Sequence, residues 1–159
     1  MRVLLVAFVV VFAGCQSPKN KHDFVFFKWN IHESYYLKFN SSDTLYYINT
    51  YPFEEQNFFT ILSIEEKETL QNILDSISFP KQKEFLNREI EDGESYAFYL
   101  KPNILKIHGE KGPNQFWLFG KLFEEIKKQH KFSKTNKKID LSEINKILFV
   151  PIPSPIINI

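Results

Sequence analysis

The sequence predicts an α+β domain: an antiparallel sheet of hairpin and meander strands with two main helices packed on one face, in the order strands–helix–strands–helix. Three observations predict it. Residues 24–62 are dense in aromatic and β-branched types with period-two patterning, the composition of half-buried strands. Ser63-Ile64-Glu65-Glu66 is a capping box at the head of an apolar stripe of helical period. A hairpin followed by an amphipathic helix then recurs over residues 95–130.

The first strand is read over residues 24–31 (FVFFKWNI), with Val25, Phe27, Trp29 and Ile31 on its inner face. Residues 35–40 continue the alternation with Tyr35, Leu37 and Phe39 inward, and Ser41-Ser42-Asp43 supplies turn chemistry. Residues 44–50 (TLYYINT) follow as a third strand, and residues 58–62 as a fourth. The first helix starts at Ser63, carries Leu70, Ile73, Leu74 and Ile77 as its core stripe, and stops before Pro80. Residues 95–101 and 103–108 form a hairpin, pairing Leu100 with Leu105 and Phe98 with Ile107. The second helix spans residues 114–130, with Phe119, Leu122, Phe123 and Ile126 in its core stripe and Phe116 and Trp117 over its first turn. Lys127, Lys128 and His130 at its end complement the helix dipole. A shorter third helix is expected at residues 142–149, and the tail 150–159 (VPIPSPIINI) is too rich in Pro to continue it.

Ahead of this domain the chain begins MRVLLVAFVVVFAG, followed by Cys15. Arg2 gives a short positive region, and residues 3–12 are an unbroken apolar run, too short to span a bilayer but suited to the core of a signal peptide. The small pair Ala13-Gly14 directly before the lone Cys resembles a bacterial lipobox, with Phe12 standing where that pattern usually has an aliphatic. The resemblance implies that residues 1–14 are removed and that Cys15 is lipidated, palmitate included. Residues 15–23 then read as a polar tether, 24–149 as a single α+β domain, and 150–159 as a Pro-rich tail. Gln16 directly after the Cys resembles the outer-membrane retention pattern of bacterial lipoproteins, and the lack of an acidic cluster behind it departs from their surface-export signals; the resemblance implies an outer-membrane anchor facing the periplasm.

Composition excludes several classes. The formal charge of +1 falls to zero in the mature chain, because Arg2 leaves with the leader and 19 Lys plus Arg then face 19 Asp plus Glu. That argues against a nucleic-acid partner, which requires a basic surplus. One Cys rules out a disulfide framework and a thiolate zinc cluster. The 17 Phe, 7 Tyr and 2 Trp point either to a core built largely of aromatics or to stacking platforms for sugars, for which Tyr36, Tyr46 and Tyr99 are the surface candidates.

No catalytic template is matched. His22, His32, His108 and His130 fall in a tether, a turn, a strand end and a helix end, and no two have the i, i+4 spacing of a zinc site. His108 is the best placed, near Glu94 or Tyr96 across the hairpin. Glu89, Glu91, Asp92 and Glu94 surround Gly93 without the spacing of an EF-hand, and read as solvated loop acids rather than a cation site. Seven Lys from Lys121 to Lys138 make a basic stretch that reads as a solvated helix end, with contact to anionic lipid or polysaccharide as the functional alternative. No cofactor, metal or catalytic residue is expected.

The aromatic meander, LSIEEKETLQNILDSISF at residues 62–79, and DGESYAFYL at residues 92–100 together resemble small lipoproteins of unknown function from the Bacteroidetes. The resemblance spans most of residues 24–149. It implies a fold topology and brings no active-site residues. The expected function is therefore that of a lipid-anchored cell-envelope lipoprotein, a non-enzymatic interaction or structural module whose partner is an envelope protein or polysaccharide. The alternative is a carbohydrate-binding lipoprotein that uses surface aromatics.

Overall fold

The computed structural model describes residues 22–148, so the leader, Cys15, most of the tether, Phe149 and the tail lie outside the described residues. In chain order the elements are β1 (Phe24–Trp29), β2 (Ser34–Phe39), β3 (Thr44–Tyr51), β4 (Gln56–Ile61), α1 (Ile64–Ser76), β5 (Glu84–Leu86), β6 (Ser95–Leu100), β7 (Asn103–His108), α2 (Asn114–Gln129), β8 (Ser133–Thr135) and α3 (Ser142–Leu148). The strands join in one sheet of order β5-β7-β6-β1-β2-β3-β4-β8, antiparallel except where β5 runs parallel to β7. The fold is α+β. The expected succession is matched only roughly: the short strands β5 and β8 are added at the two edges of the sheet, and β8 and α3 follow α2.

Register decides which side chains share a face. Phe24 pairs with Phe39, Phe26 with Leu37 and Lys28 with Tyr35, while Phe26 also faces Phe98 and Lys28 faces Tyr96 across the β6 pairing. The inner face of β1 is therefore Phe24, Phe26 and Lys28, and the expected Val25, Phe27 and Trp29 point the other way, with Ile31 beyond the strand in the turn. The correction has a simple cause. Both alternate sets of FVFF are apolar, so a period of two cannot choose between them, and pairing with the cleanly patterned β2 does. Pairing in the second hairpin is also displaced from expectation. Phe98 faces Leu105 and Tyr96 faces Ile107, because only Lys101-Pro102 connects the strands. The expected Leu100–Leu105 pair would need a four-residue loop.

Both main helices pack on this inner face and bury a core of Phe24, Phe26, Leu37, Phe39, Phe98, Leu105, Leu70, Leu74, Phe116 and Phe123, among others. The expected capping box is present at α1: the Ser63 hydroxyl accepts from the Glu66 amide at 3.2 Å, and the Ser63 amide donates to Glu66 Oε2 at 2.7 Å. Helix α2 is turned from the expected stripe, burying Phe116, Gly120, Phe123 and Glu124 and leaving Leu122 exposed. The two helices run antiparallel. His130 at the end of α2 meets Glu66 at 3.2 Å, and Gln115 at its start donates to the Ser78 carbonyl at 3.2 Å.

The opposite face of the sheet is covered too. Ile144 of α3 packs with Val25, Tyr36, Ile48, Ala97 and Tyr99 in a second, smaller cluster, with Ile139, Leu141 and Leu148 around it. Asn145 accepts a hydrogen bond from the Tyr36 hydroxyl at 2.9 Å, and Lys38 donates to the Asp140 carbonyl at 2.6 Å.

Candidate functional site

The most unusual chemistry in the fold is an ammonium group on an inward strand position. Lys28 is 4% exposed. Its Nζ lies 2.8 Å from Glu33, 2.9 Å from Glu124 and 3.3 Å from Glu94. An ammonium has three donors; Glu33 and Glu124 each accept one, and Glu94 adds a third carboxylate at ion-pair distance. The position follows from the sequence. Lys28 continues the Phe24–Phe26 face of β1, Glu33 and Glu94 stand just before the neighbouring strands β2 and β6, and Glu124 lies on the buried side of α2 one turn beyond Gly120.

Two further lysines extend the cluster. Lys121 bridges Glu94 at 2.6 Å and Glu124 at 3.2 Å, and Lys127 reaches Glu33 at 3.0 Å. Lys127 also sits 4.2 Å from the centre of the Tyr35 ring, a cation–π arrangement. The Tyr96 hydroxyl donates to Glu124. Three lysines thus balance three glutamates. Removing the two buried members, Lys28 and Glu124, from water costs several kcal/mol per ion, and pairing offsets it.

The pairing favours the charged forms of Lys28, Glu33 and Glu124. Burial alone would lower the Lys28 pKa, but hydrogen bonds and charge from Glu124 and Glu33 overcome this and raise it above its ordinary 10.5. Burial would raise Glu124 and Glu33, yet Lys28, with Tyr96 for Glu124 and Lys127 for Glu33, holds both below the usual carboxylate value. Burial and the adjacent Glu124 and Glu94 raise Tyr96. A lysine serving as base or Schiff-base former needs the opposite shift. This cluster braces β1, α2, the β1–β2 turn and the loop before β6, and offers no acid or base poised near neutral pH.

Of the trio Glu94, Tyr96 and His108, the first two meet in this cluster and His108 does not. It lies on the other face of the sheet, with Nδ1 2.7 Å from the Ser95 hydroxyl and Nε2 2.5 Å from the Ile90 carbonyl. A carbonyl can only accept, so Nε2 carries the hydrogen and Nδ1 accepts from Ser95. A serine donating to a histidine is half of a nucleophile arrangement, but Ser95 is buried. The small cleft between strands and α3 is lined instead by Asp23, Lys38, Tyr99, Asp140 and Glu143, with apolar neighbours. Here the pair acts as a latch. Together with the bond from the Gly109 amide to the Glu94 carbonyl at 3.1 Å and from Asn87 to the Gly109 carbonyl at 3.2 Å, it pins residues 87–94 to the hairpin.

The remaining candidates disperse. His22 faces Asp75 at 3.1 Å, His130 faces Glu66, and His32 is exposed in a turn. Glu89, Glu91 and Asp92 are exposed while Glu94 turns inward, and among the described residues no group of three or more His, Cys, Asp or Glu is placed to hold a metal ion. In the basic stretch, Lys121 and Lys127 belong to the buried cluster, Lys128 pairs with Glu125 at 2.7 Å, and Lys137 donates to the Tyr46 hydroxyl at 2.6 Å. Tyr36 and Tyr99 are buried under the segment that leads into α3, and burial pushes the Tyr36 hydroxyl up to about 12. Tyr46 is half-buried, with the Lys137 ammonium 4.8 Å from its ring centre. Neither buried ring offers an open face to a sugar. Among the described residues, no helix is long and apolar enough to cross a membrane.

No protein-family model, no curated protein and no solved structure matches the chain.

Proposed function

We propose that the chain is a lipoprotein of the cell envelope, anchored through acyl chains on Cys15 in the outer membrane with its domain in the periplasm, and that the domain is a non-enzymatic interaction module. The observation that carries this reading is the order of features around Cys15: a charged start, ten apolar residues, a small pair, the lone Cys, and a polar stretch ending where β1 begins. Each buried acyl methylene contributes about 0.8 kcal/mol, so two or more chains hold the protein stably. Residues 16–23, fully extended, span about 26 Å, which keeps the domain close to the lipid surface. The non-enzymatic part is supported by the Lys28 cluster, in which Lys28 and Tyr96 are shifted upward and Glu124 downward, each away from neutrality.

Fractionation of cells expressing the full chain tests it. The wild type should partition with membranes and Cys15→Ser should move to the soluble fraction. A Cys15→Ser protein that stays membrane-bound contradicts the anchor.

A further inference from the structure

We infer that the end of the sheet opposite the one where the chain enters at His22 is a docking surface for a protein whose contact face is basic around an apolar centre. The inference deepens the interaction-module reading and rests on it for the direction of the anchor.

The chain enters the sheet at His22 and Asp23. The His22 amide bonds the Ser41 hydroxyl at 2.6 Å, and the Lys101 amide bonds the Asp23 carbonyl at 3.3 Å, so the β2–β3 and β6–β7 turns lie at the anchored end. The other ends of these strands carry the 30–33 turn, the 52–55 turn and the 87–94 loop. Large exposed apolar side chains gather there: Ile31 at 47%, Tyr51 at 48%, Phe53 at 71% and Ile90 at 40%. Register sets their order along that end. Ser34 pairs with Tyr51 and Trp29 with Ser95, which sets Ile31 between the other two segments, and the His108 latch seats Ile90 over the end of β7. From β7 to β4 there are five strand spacings, about 24 Å, the breadth of a contact patch of standard size.

The same segments expose Glu54, Glu55, Glu89, Glu91 and Asp92 against Arg88, which leaves four negative charges in excess (five minus one). On the neighbouring loop Glu110 and Lys111 cancel. An apolar row rimmed by carboxylates repels phosphate-bearing surfaces and complements a cationic protein face. Two of its three segments are also held in place before any partner arrives. Lys28 grips Glu33 and Glu94 at the roots of two of these segments, and the Asn30 side chain accepts from the His32 and Glu33 amides, both at 2.9 Å. Little ordering is left to oppose binding.

The test uses the full acylated chain in phosphatidylcholine nanodiscs and a dye-labelled Lys-Trp-Lys-Trp-Lys peptide, with Glu-Trp-Glu-Trp-Glu as control, read by fluorescence anisotropy. The cationic peptide should bind, the anionic one should not, and added salt should weaken binding. Phe53→Ser, and separately Glu54→Lys with Glu55→Lys, should each weaken binding roughly tenfold, whereas Leu118→Ser on the outer side of α2 should leave it unchanged. Equal binding of both peptides, or binding indifferent to Phe53 and the two glutamates, overturns the proposal. So does self-association that Phe53→Ser abolishes, which would make the occupant a second copy. The Cys15→Ser chain, tested in solution, should retain the binding, so loss of the anchor and loss of the docking surface are read separately.

Discussion

Gly120 of α2 lies so close to the ring of Tyr96 in β6 that a Cβ built at position 120 would fall 2.2 Å from Tyr96 Cε2. The helix touches the sheet at its one glycine, and this contact fixes the rotation of α2 about its axis. Leu122, about 200° further round, is sent outward, and Glu124, about 40° round, is sent inward beneath Tyr96. Gly120→Ala should therefore destabilise the domain. Overpacking costs about 1–3 kcal/mol, and the helix-propensity gain of about 1 kcal/mol offsets only part of it. Urea denaturation checks this, and an unchanged midpoint would show that the contact is slack.

Lys28→Met should be far more damaging than its small change in volume suggests. It leaves Glu33, Glu94 and Glu124 facing one another with only Lys121 and Lys127 beside them, a loss of about 3–5 kcal/mol. Adding Glu124→Gln to Lys28→Met should recover part of that loss, because it removes one of the charges left uncompensated. A double-mutant cycle measures the coupling, and simple additivity of the two losses would mean that the residues do not act together.

Acid should weaken the fold through the same cluster. Glu33 and Glu124 have folded pKa values below the ordinary 4.5. As pH falls below 4.5 the unfolded chain takes up these protons first, so their contribution, full above that pH, is lost as pH drops through the lowered folded values. Lys28 works at the other extreme, since its raised pKa gives stability that is full below 10.5 and is lost only as pH rises beyond that. The contribution of Lys28, Glu33 and Glu124 should be constant through neutrality, and Glu124→Gln should make the acid limb of the stability curve shallower.

The His108 latch makes a local prediction. Ser95→Ala removes the donor to Nδ1, and His108→Phe also removes the bond from Nε2 to the Ile90 carbonyl. His108→Phe should accelerate amide hydrogen exchange at Gly109, whose amide bonds the Glu94 carbonyl, and increase proteolysis within residues 87–94. Helix α1, bound elsewhere in the fold, should keep its protection.

Much of this fold was legible in the sequence because local signals agreed with tertiary ones. The Ser63–Glu66 box, the Leu70–Leu74 stripe and the Asn103 start of the second hairpin strand are all where the pattern puts them. The inner face of β1 was not legible, since Phe24 and Phe26 on one side and Val25 and Phe27 on the other are equally apolar and both sides are buried. Strands β5 and β8 have three residues each and exist only through pairing with β7 and β4, which no local window contains. The Lys28 cluster escaped for the same reason. Its carboxylates come from positions 33, 94 and 124, and its one sequence trace is a lysine in phase with Phe24 and Phe26, visible only once the inner face is known. His108, expected near Glu94 or Tyr96 across the hairpin, is parted from the Tyr96 side chain because adjacent strand positions alternate faces, which sends Ser95 and its partner His108 away from Tyr96.

The anchor is the claim on which the proposed role depends most. Mass spectrometry of the amino-terminal peptide from membrane-extracted protein tests it directly. The account predicts a mature chain that begins at Cys15 and carries the added mass of a diacylglyceryl thioether, with an acyl group on its amino terminus. A chain that retains residues 1–14, or begins with an unmodified Cys15, would contradict it.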